Sequence, residues 1–412
     1  PVRRDVARAV NVVVDAHSAL RTRAFFSLGN VVLQEIHNHS EPRLPQEWHW
    51  VADDEGHTTT VNRARRMGSV VAERAASQPW DLEHSATGLV RMWWVQSQKT
   101  LYVLMHHIVG DEWSVEVIQR DVRAAYDSER VTWRELRVGA QFWEFAEWEA
   151  HHLEEHGARL RAWWTAHLRG CKALRVGSDH QALVGPDAKA TARSAMIPRA
   201  LRLRCQDAAK RAGVTQFAVW QGLVAVWLWH ALADRQGDDV LVVGPYGRGR
   251  DDVRYQRSVG YFLNMIVYRY RVRWMVEERG MGLVELARES GRVIGEALEQ
   301  GAMYPFSRVV RECGLQDADR LMDVMFSWTT GQDLQGGSGS EGDAKNALSL
   351  FCDGERFAVV STVGALVDRA TESLFGMALS EGMHRCISST GATEREQVSE
   401  WNSTPLSLLD GT

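Results

Sequence analysis

Apolar residues recur with a helical period from Val6 to Leu20 and stop at the polar cluster Arg21-Thr22-Arg23, which predicts an amphipathic helix near the start of the chain. Two β-prone runs, Gly88 to Val95 and Thr100 to Met105, flank the turn-like Gln96-Ser97-Gln98-Lys99 and are expected to form a hairpin. His106 and His107 fall where the second strand ends. Ser114 is expected to cap a helix reaching Tyr126, whose apolar positions Val115, Ile118, Val122 and Ala125 share one face. Gln141 to Leu168 reads as a long helix rich in Trp and charge. Phe217 to Trp229, interrupted by Gln221, is too short to span a membrane and reads as a buried core helix. Val240 to Gly244 is a buried-strand run leading into the turn Pro245-Tyr246-Gly247-Arg248-Gly249-Arg250. Tyr261 to Tyr270 and Leu321 to Trp328 are further strands. Ser178 to Ala192 reads as an inter-lobe linker, and Gln332 to Gly342 has flexible-loop composition.

Strands and helices mix throughout, so the expected class is α/β (α+β), in two lobes spanning residues 1–177 and 178–412. A net charge of -5 gives no basic excess for nucleic acid or an anionic membrane. Cys171, Cys205, Cys313, Cys352 and Cys386 are scattered without a CxxC pair, which fits neither a disulfide framework nor a zinc site and suits a reducing cytosol. No signal peptide opens the chain. It begins at Pro1 and is helical almost at once, as expected of an excised domain lacking its first strand.

The chemically informative segment is His106-His107-Ile108-Val109-Gly110-Asp111-Glu112-Trp113-Ser114. A strand end holds an imidazole rigidly, the loop after it leaves the ring accessible, and a neutral imidazole accepts a proton near pH 7. Such a group suits acyl transfer to an amine, which needs a free amine and a stabilised oxyanion. On spacing alone, a structural His pair is the competing reading.

Met105 to Ser114 resembles the HHxxxDGWS motif of condensation domains from nonribosomal peptide synthetases. Other segments resemble that family's motifs in the same order: Asp15 to Phe25 its RHExLRTxF, Gln141 to Trp148 its QYxDFAxW, Ser258 to Asn264 its IGxFVN, Tyr304-Pro305-Phe306 its VPFE-like stretch, Asp323 to Phe326 the strand after its last motif, and Trp401 to Thr404 its exit towards an adenylation domain. The resemblance implies two chloramphenicol-acetyltransferase-like lobes forming a V-shaped pseudo-dimer. Donor and acceptor would arrive on the phosphopantetheine arms of upstream and downstream peptidyl carrier proteins, with an adenylation domain adjacent. The domain itself would need no bound cofactor and no metal. It implies that His107 is the catalytic histidine, as base or as positioner of the attacking amine, His106 mainly structural, and Asp111 a partner of Arg21 that holds the active loop. Gly110, Trp113 and Ser114 would shape that loop, and Asn264 and Tyr261 would line the channel.

Glu112 stands where the family has Gly. It would narrow a channel entrance or select a cationic acceptor, unless it simply faces solvent. Ala302-Met303 replaces a more polar pair, and the charged motif expected near Asp317 to Arg320 is weakly kept. These departures leave open a slow, specialised or inactive domain. The alternatives to amide formation are ester formation on the same fold, epimerisation, against which Trp113-Ser114 speaks, and an inactive domain that recruits a partner enzyme, against which His107 speaks. The HxxEH pattern at His152 to His156 reads as solvated helix surface rather than a metal site, and Gly247 to Arg250 as a turn with surface charge rather than a phosphate contact. No GxSxG elbow, Walker A loop or strand-borne GxGxxG occurs.

Overall fold

The computed structural model describes residues 3–28, 31–37, 47–51, 78–83, 88–95, 99–136, 138–176, 185–189, 191–232, 239–315, 317–329, 343–344, 346–362 and 374–376. Residues 96–98 of the expected hairpin turn, most of the linker before 185, the 332–342 loop, Cys386 and the 401–404 motif lie outside the described residues. The elements, in chain order, begin with helix α1 (Arg3–Ala16), strands β1 (Thr22–Leu28), β2 (Val31–Ile36), β3 (Glu47–Val51), β4 (Val90–Val95) and β5 (Thr100–Met105), and helices α2 (Glu112–Asp127) and α3 (Phe142–His167). Strands β6 (Gly185–Lys189) and β7 (Thr191–Met196) precede helices α4 (Arg199–Ala212) and α5 (Gln216–Leu232), then strands β8 (Val240–Gly247) and β9 (Leu263–Tyr270). Helices α6 (Leu283–Gly301) and α7 (Phe306–Glu312) and strands β10 (Val324–Trp328), β11 (Asp343–Ala344), β12 (Leu348–Cys352) and β13 (Arg356–Ser361) complete the order.

The chain divides into two compact units, one of residues 1–155 with 247–263, the other of 156–246 with 264–412. The second half of α3 therefore clusters with the second unit, and a short segment from beyond the linker clusters with the first. A linear cut at residue 177 conveys neither exchange.

In the first unit β4 is the middle strand of a three-stranded sheet, parallel to β3 and antiparallel to β5. All six β4 residues are buried, as a near-continuous apolar run requires. Helix α1 presents Val6, Ala9, Val10, Val13 and Val14 to the core, and α2 presents Val117, Ile118 and Ala125. A hairpin, β1 with β2, follows α1 where the sequence pattern indicated only a polar stop.

The second unit is built on a six-stranded sheet in the order β7-β13-β12-β10-β8-β9. Strand β10 runs parallel to both β12 and β8, while β13 pairs antiparallel with β12 and β7. Part of the expected linker is thus strand, β6 and β7. Helix α5 is the buried core helix that its composition predicts: Val219, Trp220, Leu223, Val224, Ala225 and Val226 are fully buried. Its one polar interior residue, Gln221, is accommodated because its Oε1 accepts from Tyr270 Oη at 2.8 Å, and Tyr270 also meets Ser290 Oγ at 2.8 Å. No helix among the described residues is long and apolar enough to cross a membrane.

At the C-terminal end of α3, His167 stacks on Trp163 with ring centroids 4.5 Å apart, while Arg269 donates to the His167 carbonyl oxygen. Burial, against the opposing pull of Glu296, brings the His167 imidazole down from 6.5 to about 4. The folded state therefore disfavours the proton that the unfolded chain binds, so stability is full above pH 6.5 and falls as pH drops towards 4. After discounting for partial exposure, about 2 kcal/mol of stability is expected to be lost across that window. Urea unfolding of wild type and His167→Gln from pH 7 to 4 checks this, the variant being expected to show the shallower loss.

Candidate active site

Strand β5 ends at Met105, and the chain passes through His106 into a single 3-10 turn, His107–Val109. The His106 backbone N–H donates to Leu89 O at 3.0 Å, pinning the strand end to the residue before β4. Its ring Nδ1 accepts from Ile108 N at 3.1 Å, and Trp80 meets the ring edge-on at 6.0 Å. The neighbouring imidazole is held the other way round. His107 Nδ1 lies 2.8 Å from Gly110 O, and a carbonyl only accepts, so Nδ1 carries the hydrogen. A neutral His107 therefore keeps its lone pair on Nε2. His107 is exposed, whereas Val109 and Gly110 behind it are buried. Tyr261 stands perpendicular to the imidazole, with centroids 5.3 Å apart and planes at 89°.

Asp111 closes the loop and starts α2. It, rather than Ser114, is the N-cap: Asp111 Oδ1 accepts from Ser114 N at 2.8 Å and Ser114 Oγ accepts from Asp111 N at 3.3 Å, a capping box. Asp111 is 4% exposed, and its cationic partner is Arg250, whose Nη2 lies 2.8 Å from Oδ1 and 3.0 Å from Oδ2. The expected pair with Arg21 does not form. Arg21 closes the 3-10 turn after α1 and donates from Nη1 to the His37 carbonyl oxygen instead. Arg250 Nη1 also donates to Tyr255 O at 2.8 Å and Ser258 O at 2.7 Å, and the guanidinium lies 4.0 Å over the Phe262 ring. Burial lowers the Arg250 pKa, while the Asp111 charge opposes that shift. The glycine–arginine turn is thus no charged surface: Arg248 and Arg250 are each 8% exposed. Arg248 is ion-paired with Glu149, and burial pulls its pKa down to about 10.

The remaining expected residues divide. Trp113 donates from Nε1 to Gln256 O at 2.8 Å, and Ser114 Oγ accepts from Gly260 N at 3.0 Å, so both tie α2 to the 247–263 segment. A side chain on Gly110 would meet Met105 Sδ at 2.4 Å, so a Cβ there would require the Met105 thioether to move. Glu112 is the exposed first residue of α2, where a negative charge suits the helix N-terminus. Asn264 lies in the second unit with its side chain fully used. Its Nδ2 donates to Ala302 O and Tyr304 O, each at 2.9 Å, and its Oδ1 accepts from Phe306 N at 2.9 Å. It therefore braces the turn into α7.

Sequence reasoning also missed a second buried carboxylate on α2. Asp121 Oδ2 meets His17 Nε2 at 2.9 Å, and Asp121 Oδ1 accepts from Arg120 at 3.1 Å and Arg257 at 3.3 Å. Burial lowers the His17 pKa, so the ring donates as a neutral imidazole. Burial opposes the Asp121 charge, but the His17 bond and Arg120 hold this carboxyl below the usual range. The available signal was weak, a lone His and a lone Asp each within a helical pattern.

On α3, His152 stacks on Trp148 with centroids 5.1 Å apart. Among the described residues no group of three or more His, Cys, Asp or Glu side chains gathers as a metal site would.

A family model described as Condensation domain matches residues 3–351. The chain belongs to the condensation-domain family. This condensation domain is 26% identical over 333 residues to a linear gramicidin synthase of Brevibacillus parabrevis, covering 78% of the chain and 4% of that protein. It is 26% identical over 344 residues to phosphinothricin tripeptide synthetase PhsB of Streptomyces viridochromogenes, covering 81% of the chain and 27% of the relative. The chain thus spans only a small part of the length of these synthetases. Among solved structures it is similar to SgcC5 from Streptomyces globisporus, with TM-score 0.69 and 22% identity over 92% of this chain and 89% of that one. The X-domain from teicoplanin biosynthesis gives TM-score 0.69 at 19% identity, covering 92% and 88% of the two chains. VibH, a condensation enzyme, gives 0.68 at 14%, covering 92% and 88%. The α/β, chloramphenicol-acetyltransferase-like fold expected from the sequence is the fold of these structures.

Proposed function

We propose that this condensation domain forms amide bonds, transferring an acyl or peptidyl donor from one carrier protein to the amine of an aminoacyl acceptor on another. The observation that carries this reading is the His107 Nδ1 bond to Gly110 O, which leaves Nε2 of an exposed imidazole as the acceptor. In this reading Nε2 takes a proton from the acceptor amine as its nitrogen attacks the donor thioester carbonyl. The C–N bond forms and the C–S bond breaks. The leaving thiolate recovers the proton from the imidazolium, so His107 ends as it began. The phosphopantetheine arms belong to the carriers, upstream for the donor and downstream for the acceptor, and an adjacent adenylation domain would load the acceptor. His106 supports the turn, and Asp111 holds the loop through its cap and Arg250.

The test is an intact-mass transfer assay with donor and acceptor carriers loaded with aminoacyl groups. Mass gain on the acceptor that disappears with His107→Ala supports the reading. No transfer across a panel of amine acceptors, with transfer to a hydroxyl acceptor, replaces it with ester formation. No transfer to either, with a partner protein still bound, replaces it with recruitment.

A further inference from the structure

The His107 side chain has a single described hydrogen bond, Nδ1 to Gly110 O, and its ring would be free to rock about that bond unless a second contact fixed its plane. The perpendicular Tyr261 ring, with centroids 5.3 Å apart, supplies that contact. Edge-to-face geometry at this separation is favourable and directional, because the electropositive rim of one ring meets the electron-rich face of the other.

The placement of Tyr261 is over-determined by the same group that places His107. Residues on both sides of it bond to the cap of α2. Gly260 N donates to Ser114 Oγ at 3.0 Å, and Phe262 N donates to Asp111 Oδ2 at 3.2 Å. Asp111 directly follows Gly110, whose carbonyl holds the imidazole. Gly260 is seated closely, since a Cβ there would meet Phe142 ring carbons at 2.4 Å. One carboxylate–hydroxyl pair thus aligns both rings. Arg250 locks the arrangement, with Nη1 on Tyr255 O and Ser258 O and Nη2 on Asp111.

We infer that Tyr261 is a positioning residue for His107: its ring holds the imidazole plane so that Nε2 keeps one direction, and the Asp111–Ser114 cap sets the two rings in register. The inference rests on the acyl-transfer reading for its kinetic consequence but not for its structural one. Its chemical content is the ring. The phenol hydroxyl is not required, and the residue does not need to touch substrate.

The experiment compares Tyr261→Ala and Tyr261→Phe with the wild-type 412-residue chain by carrier-to-carrier transfer kinetics and by NMR of ¹⁵N-histidine-labelled protein, with the His107 signal assigned by its loss in His107→Asn. Tyr261→Ala is expected to lower kcat about 2- to 10-fold with KM for either carrier unchanged, the range that loss of one aromatic pair permits. Tyr261→Phe is expected to keep wild-type kcat. In the spectra, ring ¹⁵N relaxation is expected to show a rigid His107 imidazole in the wild type and the Phe variant, and a mobile one in the Ala variant. An equally rigid ring in Tyr261→Ala overturns the inference. So does a Phe variant as slow as the Ala variant, which would make the hydroxyl the active part, or a raised KM at constant kcat, which would make Tyr261 a substrate contact. If wild type transfers nothing, the acyl-transfer reading falls, and the ring-mobility comparison alone still decides the role of Tyr261.

Discussion

Asp111→Ala is expected to destabilise the protein by about 3–5 kcal/mol, the range for breaking a buried ion pair from one side. The substitution removes the carboxylate that faces Arg250 at 2.8 Å and leaves a guanidinium that is 8% exposed with only two carbonyls and the Ser114 hydroxyl as neutral acceptors. It also strips the cap from Ser114 N and the acceptor from Phe262 N, two backbone donors buried with it. A double-mutant cycle separates the structural pairing from the one the motif resemblance implies. Asp111 and Arg250 are expected to couple by about 1–3 kcal/mol, whereas Asp111 and Arg21, which share no bond, are expected to be additive within about 0.5 kcal/mol. Urea denaturation of the two cycles is the measurement. Coupling to Arg21 but not to Arg250 would show that the loop is held as the motif resemblance implies and not as the geometry has it.

That contrast marks where sequence stops being sufficient. Periodicity located α1 and α2, because each buries an apolar stripe, composition located α3 and the apolar α5, and β-prone runs located β4, β5 and β9 within a few residues. The His pair was legible because a strand end followed by a polar turn and a helix start is a local pattern. The partner of Asp111 was not. Arg250 is 139 positions away, and its side chain looks the same in sequence whether it faces water or a buried carboxylate. The glycines beside it suggested a surface turn. Only the fold shows that 247–263 clusters with residues 1–155, which is what buries both arginines of that turn. Asp121 and His17 were hidden for the same reason, being 104 residues apart. Strands β1 and β2 escaped because Arg23 and Glu35 place charge on their exposed positions, and the bulge between Thr22 and Ala24 breaks the alternation.

His107→Asn is expected to slow transfer by about 100- to 10,000-fold, as much as His107→Ala, while leaving stability closer to wild type. The Asn amide can place an N–H where the imidazole Nδ1 now donates to Gly110 O at 2.8 Å, so the turn into the Asp111 cap keeps its bond. What the amide lacks is a basic nitrogen at the Nε2 position. If the imidazole acts by accepting a proton, both variants lose the same step and are slowed equally. If the imidazole acts only by holding the loop, Asn should retain most of the rate and Ala should not. Single-turnover transfer between loaded carriers across pH 5.5 to 8.5, with thermal melting of each variant alongside, distinguishes the two. Near-wild-type transfer by the Asn variant would remove His107 from the chemistry and leave it as a brace. Equally slow transfer in both variants would assign the proton to Nε2, the one ring nitrogen that the Gly110 bond leaves with a lone pair.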